Sequence, residues 1–491
     1  MKPTTLLILP GIAVIAIYYP AFTTDYLYTD DAVQLWRFKE NLNFNTSVSQ
    51  GRLLTYKLFV ALFNHIHTIH EVRWARLFSA AGWLLMLPVW YRILSALVNR
   101  FGWPPSTTIL SLVYLVSMPA FAISIGWAAC LELLIAYTAG LVAGYSMYLY
   151  FDSPVKAPVY LLAGLLCSLV SLFTYQNGFG CFFIPFFMRL INDKKISTRV
   201  LEGIIAGIVI YGLYFLLFRL SIRLQGLEAG PRATLTSNPL DKLQFFIGGP
   251  LISAFHFTWI AKEKSIPGAI LSLVCIIACV VYHRVKYGRK DIRGFLLYWL
   301  AVLALLAFIY LPSLLVAEKF ASNRTMLAFN FAIFLLVAET LFSIVGKAAP
   351  RRLLTISLAS LFLINAWYNF HDGFLNPLRQ EYNAIAVSLD RYYRPGIKRL
   401  FVIPLPHDAF SKKYGITLSW DEFGNPSTSM PWTTDPLVRQ IIFEKTGRRE
   451  TAGQLVIEQL TDRQRLQALS QSNEPDVLLL DIPSLLGISA D

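Results

Sequence analysis

The stretch TMLAFNFAIFLLVAETLFSIVG (residues 325–346) is apolar over the length of a membrane-spanning helix. A helix that crosses the hydrocarbon core of a bilayer needs about 20 mostly apolar residues. The stretch therefore predicts a transmembrane helix, and ten further segments are comparably apolar, although the one at 178–191 is short. Those segments are 4–22, 74–97, 107–125, 129–150, 158–174, 178–191, 200–220, 266–283, 294–314 and 351–369.

The composition of the whole chain agrees with this pattern. Hydrophobic residues make up 55% of the 491 residues, charged residues make up 15%, and the mean hydropathy is +0.52. These values are typical of an α-helical polytopic membrane protein and not of a soluble enzyme. The whole chain has a net charge of +13, of which residues 1–369 carry +15 and residues 370–491 carry −2. Basic loops beside anionic lipid account for it, so we expect a lipid bilayer as partner and no nucleic acid.

The residues that flank the apolar segments predict an orientation. Lys347, Arg351 and Arg352 follow segment 325–346, and other basic loops fall on the same side if the N-terminus is cytoplasmic. The long loop at 23–73 and the C-terminal tail then lie on the opposite side. That loop and the start of the next segment contain Arg52, Arg73 and Arg76. These arginines are contrary to the positive-inside rule, by which Lys and Arg are enriched in cytoplasmic loops, but the rule is weakest for long loops.

Two domains follow from this reading. Residues 1–369 form a transmembrane domain of about eleven helices, in which residues 52–66 of the first external loop form an interfacial helix. Residues 370–491 form a small soluble α/β domain. Its apolar runs at 398–405 and 476–482 have the length of strands, and the polar stretch at 450–470 reads as helical.

Ionisable and polar residues from several separate loops gather at the non-cytoplasmic rim. Charged residues at membrane depth are costly, so they are candidates for function. The candidate set comprises Asp30, Asp31, Arg52, Glu132, Tyr175, Gln176, Arg232, Lys319 and Arg324.

The acidic pair in LYTDDAVQLW (27–36) is the first candidate for catalysis. Neighbouring helical side chains point about 100° apart, so only one of Asp30 and Asp31 can face a reaction centre. The other could cap the helix, pair with Arg52 or bind a cation. The competing interpretation is a solvated pair that opens an interfacial helix, where acids are favoured.

The remaining candidates each have a structural alternative. Arg52, Lys319 and Arg324 could bind a phosphate or anchor the chain to lipid headgroups. Glu132 could act in the site or reach the interface, and Asn-Gly turn chemistry alone would explain TYQNGFG (174–180). Arg232 lies in GPRATLTSNP (230–239), a loop that could cover a site. His65, His67 and His70 lack an acidic metal-binding motif, so we interpret them as interfacial residues.

The motifs YTDDAVQLW, QGRLLTY and TYQNG, set in this topology, resemble the GT-C superfamily of polytopic membrane glycosyltransferases. Within it they look most like the bacterial GtrII-type glucosyltransferases that modify O-antigen. The resemblance covers about residues 1–370 and leaves the tail uncovered. It implies a catalytic role for Asp30 or Asp31 alone. The roles of the arginines and of Gln176 are inferred from the topology.

The resemblance implies a mechanism of direct displacement. A carboxylate removes the proton of an acceptor hydroxyl, and the oxygen attacks the anomeric carbon of a sugar carried on polyprenyl phosphate. Arg52, Lys319 and Arg324 stabilise the departing phosphate, and Glu132, Tyr175, Gln176 and Arg232 bind substrate. The donor would be a polyprenyl-phosphate sugar, with glucose favoured, and the acceptor a glycan such as lipopolysaccharide. We expect no metal cofactor, and Glu132 is the residue that could overturn this expectation.

Other functions compete with this one. A flippase or transporter for lipid-linked sugars explains the spans and buried charges, but it predicts repeats that the sequence does not display. An O-antigen polymerase or ligase would place arginines in a large external loop, and Arg223 and Arg232 in the loop at 221–265 keep that reading open. For each of these functions we expect the protein in the bacterial inner membrane, with its active site and its C-terminal tail in the periplasm.

Overall fold

The computed structural model describes residues 3–37, 43–153, 155, 157–230, 233–257, 266–287, 291–416, 422–460, 462–471 and 474–488. The helices up to residue 230 are α1 (Pro3–Tyr18), α2 (Asp30–Arg37), α3 (Asn43–Ser49), α4 (Leu53–Phe63), α5 (Val72–Arg100), α6 (Ser106–Ser117), α7 (Pro119–Gly126), α8 (Leu133–Asp152), α9 (Pro158–Thr174), α10 (Ile184–Asp193) and α11 (Thr198–Leu224). Short 3₁₀ helices occupy Tyr19–Phe22, Ala128–Cys130 and Gln176–Phe183.

The helices between residues 233 and 392 complete the bundle. They are α12 (Pro239–Phe246), α13 (Ile252–Phe255), α14 (Ile266–Tyr287), α15 (Ile292–Ile309), α16 (Leu311–Leu315), α17 (Asn323–Val345), α18 (Ala348–Phe370) and α19 (Asn376–Tyr392). One π-helical turn, Ile247–Leu251, joins α12 to α13, and another, His371–Leu375, joins α18 to α19.

Seven helices among the described residues are long and apolar enough to cross a membrane, which makes the chain a multi-pass helical membrane protein. They are α5, α8 with the turn before it, α11, α14, α15, α17 and the continuous helix α18–α19. Helices α6 and α7 count as an eighth if they form one span, bent by 49°. Pro119 explains the bend, because it lacks an amide hydrogen and keeps Met118 extended.

The prediction of eleven spans is not confirmed. The apolar part of the first segment is only Leu7–Phe22, and α9 has 17 residues. The segment at 178–191 is divided between a 3₁₀ helix and α10. Its Gly178 and Gly180 favour an irregular backbone, and Pro185 fits the first turn of the new helix.

The centre of the bundle is α17. In its most apolar window 78% of the residues are buried inside the protein, compared with 22% for α14, so α14 lies at the periphery. Helix α8 packs tightly on the 3₁₀ helix Gln176–Phe183. A Cβ on Gly140 would stand 2.2 Å from Gly178 O, and one on Gly144 would stand 2.1 Å from Phe182 O. Small residues are common where membrane helices approach backbone this closely.

The tail contains a parallel three-stranded sheet in the order β2-β1-β3, with β1 Arg399–Ile403, β2 Val456–Gln459 and β3 Val477–Asp481. Strands β1 and β3 confirm the predictions at 398–405 and 476–482. The helical reading of 450–470 is wrong at its centre, where β2 lies between two helices. The helices of the tail are α20 (His407–Tyr414), α21 (Pro431–Thr446), α22 (Arg449–Gly453), α23 (Asp462–Gln471) and α24 (Ile482–Leu485).

The tail packs directly on the first loop. Ser427 Oγ donates to Leu27 O at 2.8 Å, and Ile69 N donates to Glu444 Oε1 at 2.7 Å. Residues of α2, α4 and α21 share one hydrophobic cluster with β1. The loop is therefore held between the membrane bundle and the tail, and helix α4 confirms the helix predicted within 52–66.

Candidate active site

Asp31 is a buried anchor for the first loop. Its carboxylate accepts hydrogen bonds from Arg76 Nη2 at 3.2 Å and from Ala129 N at 2.9 Å, with Tyr28 N at 3.4 Å. Arg76 is equally buried, donates to Tyr26 O at 2.7 Å and stacks on the Tyr26 ring. Burial raises the pKa of Asp31 to about 6, against the opposing effect of Arg76. Asp31 thus pairs with Arg76 rather than with Arg52.

Asp30 occupies a different environment. It is the first residue of α2, its side chain is partly exposed, and it interacts electrostatically with Glu132. Thr29 before it has φ of 36°, a left-handed conformation that is unfavourable for a β-branched residue. Such strain costs about 1–3 kcal/mol and is concentrated at functional sites. The anchored Asp31 and the strained Thr29 together fix the position of Asp30.

Glu132 stands between the 3₁₀ turn Ala128–Cys130 and helix α8. It is 2% exposed, and its Oε2 has no hydrogen-bond partner among the described residues. Its carboxylate interacts electrostatically with Arg52 and Arg324 as well as with Asp30. A buried carboxylate between two arginines and a second acid has the composition of a reactive centre.

Arg52 is presented by a tight turn between α3 and α4. Gly51 has φ of 76°, and a Cβ there would stand 2.2 Å from the Tyr214 hydroxyl, so the turn requires glycine. The Arg52 guanidinium carbon lies 4.6 Å from the centre of the Tyr175 ring, and its Nε has no hydrogen-bond partner among the described residues. Burial raises the pKa of Tyr175 to about 12, so its ring stays neutral.

Arg324 lies in the first turn of α17, where the tail meets the bundle. Its guanidinium carbon is 4.5 Å from the Trp127 ring centre, and its Nε is 3.4 Å from Glu422 Oε1. Glu422 also accepts hydrogen bonds from Asn323 N and Arg324 N, at 3.1 and 3.2 Å. A carboxylate of the tail therefore caps this helix and orients Arg324.

A cavity of about 370 Å³ is lined by Arg52 and Arg324, and we call it the rim cavity. Asp30, Asp31 and Glu132 are not among its lining residues. Arg52 and Arg324 line it together with polar residues of the 174–180 turn. Much of the remaining wall is apolar and includes Phe215, Leu235 and Leu315, which are exposed on the bundle surface. Its lining residues are Gln50, Arg52, Tyr175, Gln176, Asn177, Tyr211, Gly212, Tyr214, Phe215, Phe218, Ala233, Leu235, Pro312, Ser313, Leu315, Val316, Glu318, Phe320, Arg324 and Thr325.

The side chain of Gln176 braces the wall of this cavity. Its Nε2 donates to Gln50 O at 2.7 Å and to the Tyr214 hydroxyl at 2.8 Å. These bonds tie the turn of Arg52 to the 3₁₀ helix and to α11.

Among the predicted phosphate and substrate ligands that the structure describes, Lys319 and Glu132 do not line this cavity. Lys319 is half exposed and forms an ion pair with Asp241, with 2.6 Å between Nζ and Oδ2. The neighbouring Lys242 is buried and donates to backbone carbonyls of Ser313 and Glu318. Arg232 lies outside the described residues. Among the described residues, Arg52 and Arg324 are the arginines that line the cavity.

Metal ligands do not converge within the described ranges, where no group of three or more His, Cys, Asp or Glu side chains could hold an ion. The His65–His70 run is spread out, and His70 Nδ1 contacts Asp25 Oδ1 at 2.9 Å. Comparisons with family models, with curated proteins and with solved structures found no match for this chain.

Sequence reasoning missed Arg76 and Glu422. A signal existed for Arg76, because an arginine at the start of an apolar segment and contrary to the positive-inside rule needs a buried partner. No comparable signal existed for Glu422, which lies in a turn-rich stretch of the tail and meets Asn323 across 99 positions of sequence.

Proposed function

We propose that this chain is a membrane glycosyltransferase that moves a sugar from polyprenyl phosphate to a hydroxyl of a cell-surface glycan. The observation that carries the proposal is the rim cavity, where two arginines meet an apolar wall that is open to the bundle surface. A polyprenyl-phosphate sugar has the matching chemistry, because a long apolar chain ends in an anionic phosphate. The forked guanidinium group suits phosphate oxygens.

Asp30 is the proposed general base. It is partly exposed, whereas Asp31 is engaged by Arg76 and two backbone amides. Glu132 then holds Arg52 and Arg324 in place electrostatically. In this way it keeps the two guanidinium groups near Asp30. This division of roles supports one reactive and one structural member of the acidic pair.

The proposed reaction is a single displacement. Asp30 accepts the proton of the acceptor hydroxyl while its oxygen forms a bond to the anomeric carbon of the donor sugar. The bond from that carbon to the phosphate oxygen breaks, and both electrons leave with polyprenyl phosphate. Arg52 and Arg324 stabilise the charge that develops on the phosphate in a site of low dielectric constant. Attack opposite the leaving group inverts the anomeric configuration.

The proposal is tested by incubating the purified protein in lipid nanodiscs with a panel of polyprenyl-phosphate sugars and glycan acceptors, including lipopolysaccharide. We expect transfer from one donor, with an inverted anomeric linkage by NMR. A retained linkage, or transfer that requires a pyrophosphate-linked donor, would contradict the proposed reaction.

A transporter of lipid-linked sugars is the second candidate, and one observation favours it. A buried ionisable pair, His283 and Glu339, lies inside the bundle with 4.0 Å between Nε2 and Oε2, as in many ion-coupled transporters. Proteoliposomes loaded with a fluorescent lipid-linked sugar distinguish the two functions. Movement between leaflets without any product would favour transport.

A further inference from the structure

A second cavity of about 280 Å³ lies at the opposite end of the bundle, and we call it the distal cavity. Arg324 and Ser343 are 19 residues apart on α17, which corresponds to about 28 Å along a helix. The distal cavity is therefore about one hydrocarbon thickness from the rim cavity. Its lining residues are Gly102, Trp103, Pro104, Pro105, Thr107, Glu339, Phe342, Ser343 and Arg351.

The acidic group of this cavity is Glu339. It is 9% exposed, and its Oε1 accepts hydrogen bonds from the Tyr282 hydroxyl at 3.3 Å and from Ser343 Oγ at 3.1 Å. Its Oε2 has no hydrogen-bond partner among the described residues, although His283 Nε2 lies 4.0 Å away. Thr107 in the same lining is 1% exposed, and its Oγ1 likewise lacks a partner there. Unsatisfied buried polar atoms of this kind are rare and indicate a ligand or bound water.

The basic group is Arg351, in the first turn of α18. Its Nε donates to Phe342 O at 3.0 Å, which fixes the guanidinium at the edge of the cavity. The two terminal nitrogens have no partner within the described part of the chain. The cavity thus offers one carboxylate oxygen and one guanidinium face, and Trp103 and Pro104 add apolar surface to its lining.

This combination selects for a zwitterion. A simple anion would bind beside the Glu339 carboxylate, and a simple cation beside the Arg351 guanidinium, so each would meet repulsion. A molecule with an ammonium and a phosphate group a few bonds apart satisfies both. The cavity lies at the end of a spanning helix among basic loops, where lipid headgroups are available.

We propose that the distal cavity binds a phosphate ester that carries a protonated primary amine, as found in the headgroup of an aminophospholipid. The ammonium contacts Glu339 Oε2 and the phosphate contacts Arg351. The site is independent of the proposed transferase activity. Through it the protein contacts the headgroups of its own bilayer.

The test is a lipid titration of the full-length protein, followed by native mass spectrometry. We expect phosphatidylethanolamine to bind at least about tenfold more tightly than phosphatidylglycerol or N-acetylated phosphatidylethanolamine, which keeps the phosphate but lacks the cation. Arg351→Gln should remove this binding, and Glu339→Gln should abolish the preference for the amine. Arg352→Gln, which changes an exposed neighbouring arginine, is the matched control.

Two further outcomes sharpen the result. Displacement of the lipid by soluble phosphoethanolamine would show that the amine phosphate alone is recognised, whereas no displacement would show that the acyl chains contribute. Equal binding of the three lipids to the wild type would overturn the proposal, and so would equal losses in Arg351→Gln and Arg352→Gln. If Glu339→Gln fails to fold, the comparison of these two arginine variants still decides the question.

Discussion

The two ends of the helix bundle carry similar ionisable groups in different settings. Each has a buried glutamate with one unsatisfied oxygen, Glu132 at the rim and Glu339 at the distal end, and each has arginine in a cavity lining. The rim cavity has the larger volume, and exposed apolar residues extend it to the bundle surface. The distal cavity is smaller and is lined by the 102–105 turn. The difference teaches that the apolar extension, and not the charge, distinguishes the two ends, and it is the reason for proposing a chain-bearing donor at one end and a headgroup at the other.

The rim differs from the distal end also in its support. The tail reaches the rim through Glu422 and holds the first loop through contacts with α2. A buried ion pair, Asp31–Arg76, pins that loop to α5. The rim is therefore a preorganised region, and three substitutions test how each support contributes.

The largest effect is expected from Arg76→Met, which removes the partner of a buried carboxylate. Breaking such a pair costs about 3–5 kcal/mol, because one charge stays buried without compensation. We expect this loss in denaturant unfolding of the detergent-solubilised protein at pH 8. Arg73→Met, three residues earlier and only partly buried, should cost less than about 1 kcal/mol.

The same variant has a defined pH dependence. The folded-state pKa of Asp31 is already raised to about 6, and loss of Arg76 raises it further. A carboxyl group with a raised pKa stabilises the folded state as the pH falls through that pKa. The deficit of Arg76→Met relative to the wild type should therefore shrink between pH 8 and pH 5. A deficit that grows over this range would contradict the buried charge at Asp31.

A smaller effect is expected from Arg324→Gln, which removes one guanidinium from the rim cavity. Hydrogen bonds to charged groups contribute about 1.5–3 kcal/mol, so the KM for a polyprenyl-phosphate donor should rise about 10-fold to 100-fold. Steady-state kinetics in nanodiscs measures the change. Arg352→Gln at the distal end should leave the donor KM unchanged. An equal rise of the KM in Arg324→Gln and Arg352→Gln would contradict the difference between the two ends.

The smallest effect is expected from Glu422→Gln in the tail. The variant keeps the shape of the side chain but weakens its hold on Arg324, so we expect the donor KM to rise about threefold to tenfold. The rise should vanish in an Arg324→Gln background, which a purely structural defect would not produce. Glu474→Gln changes an exposed glutamate of the tail and serves as the control.

The sequence predicted the long apolar helices and strands β1 and β3 of the tail, because each depends on composition over a local window. It could not count the spans, since an apolar stretch can form a helix of only 17 residues, as α9 does, or be divided between a 3₁₀ helix and an α-helix, as at 178–191. It missed β2 because this strand has four residues, none of them buried, and takes its parallel partner β1 from more than 50 positions away.

The candidate site was predictable in its parts but not in its pairings. Arg52, Tyr175, Gln176 and Arg324 were selected by residue type and topology, and the structure brings all four to one cavity. The pairings are a matter of tertiary geometry. Asp31 meets Arg76 across 45 positions, and no local pattern distinguishes that partner from Arg52 or separates Asp31 from Asp30.

The most direct test of the account is the single-turnover rate of sugar transfer from a polyprenyl-phosphate donor by Asp30→Asn, measured in the same nanodiscs as donor binding. Loss of a general base predicts a rate about 10²-fold to 10⁴-fold below that of the wild type, with the donor Kd unchanged. Asp408→Asn, on the exposed surface of the tail, should transfer at the wild-type rate. Wild-type transfer by Asp30→Asn would contradict the assignment of the base and, with it, the proposed chemistry of the rim.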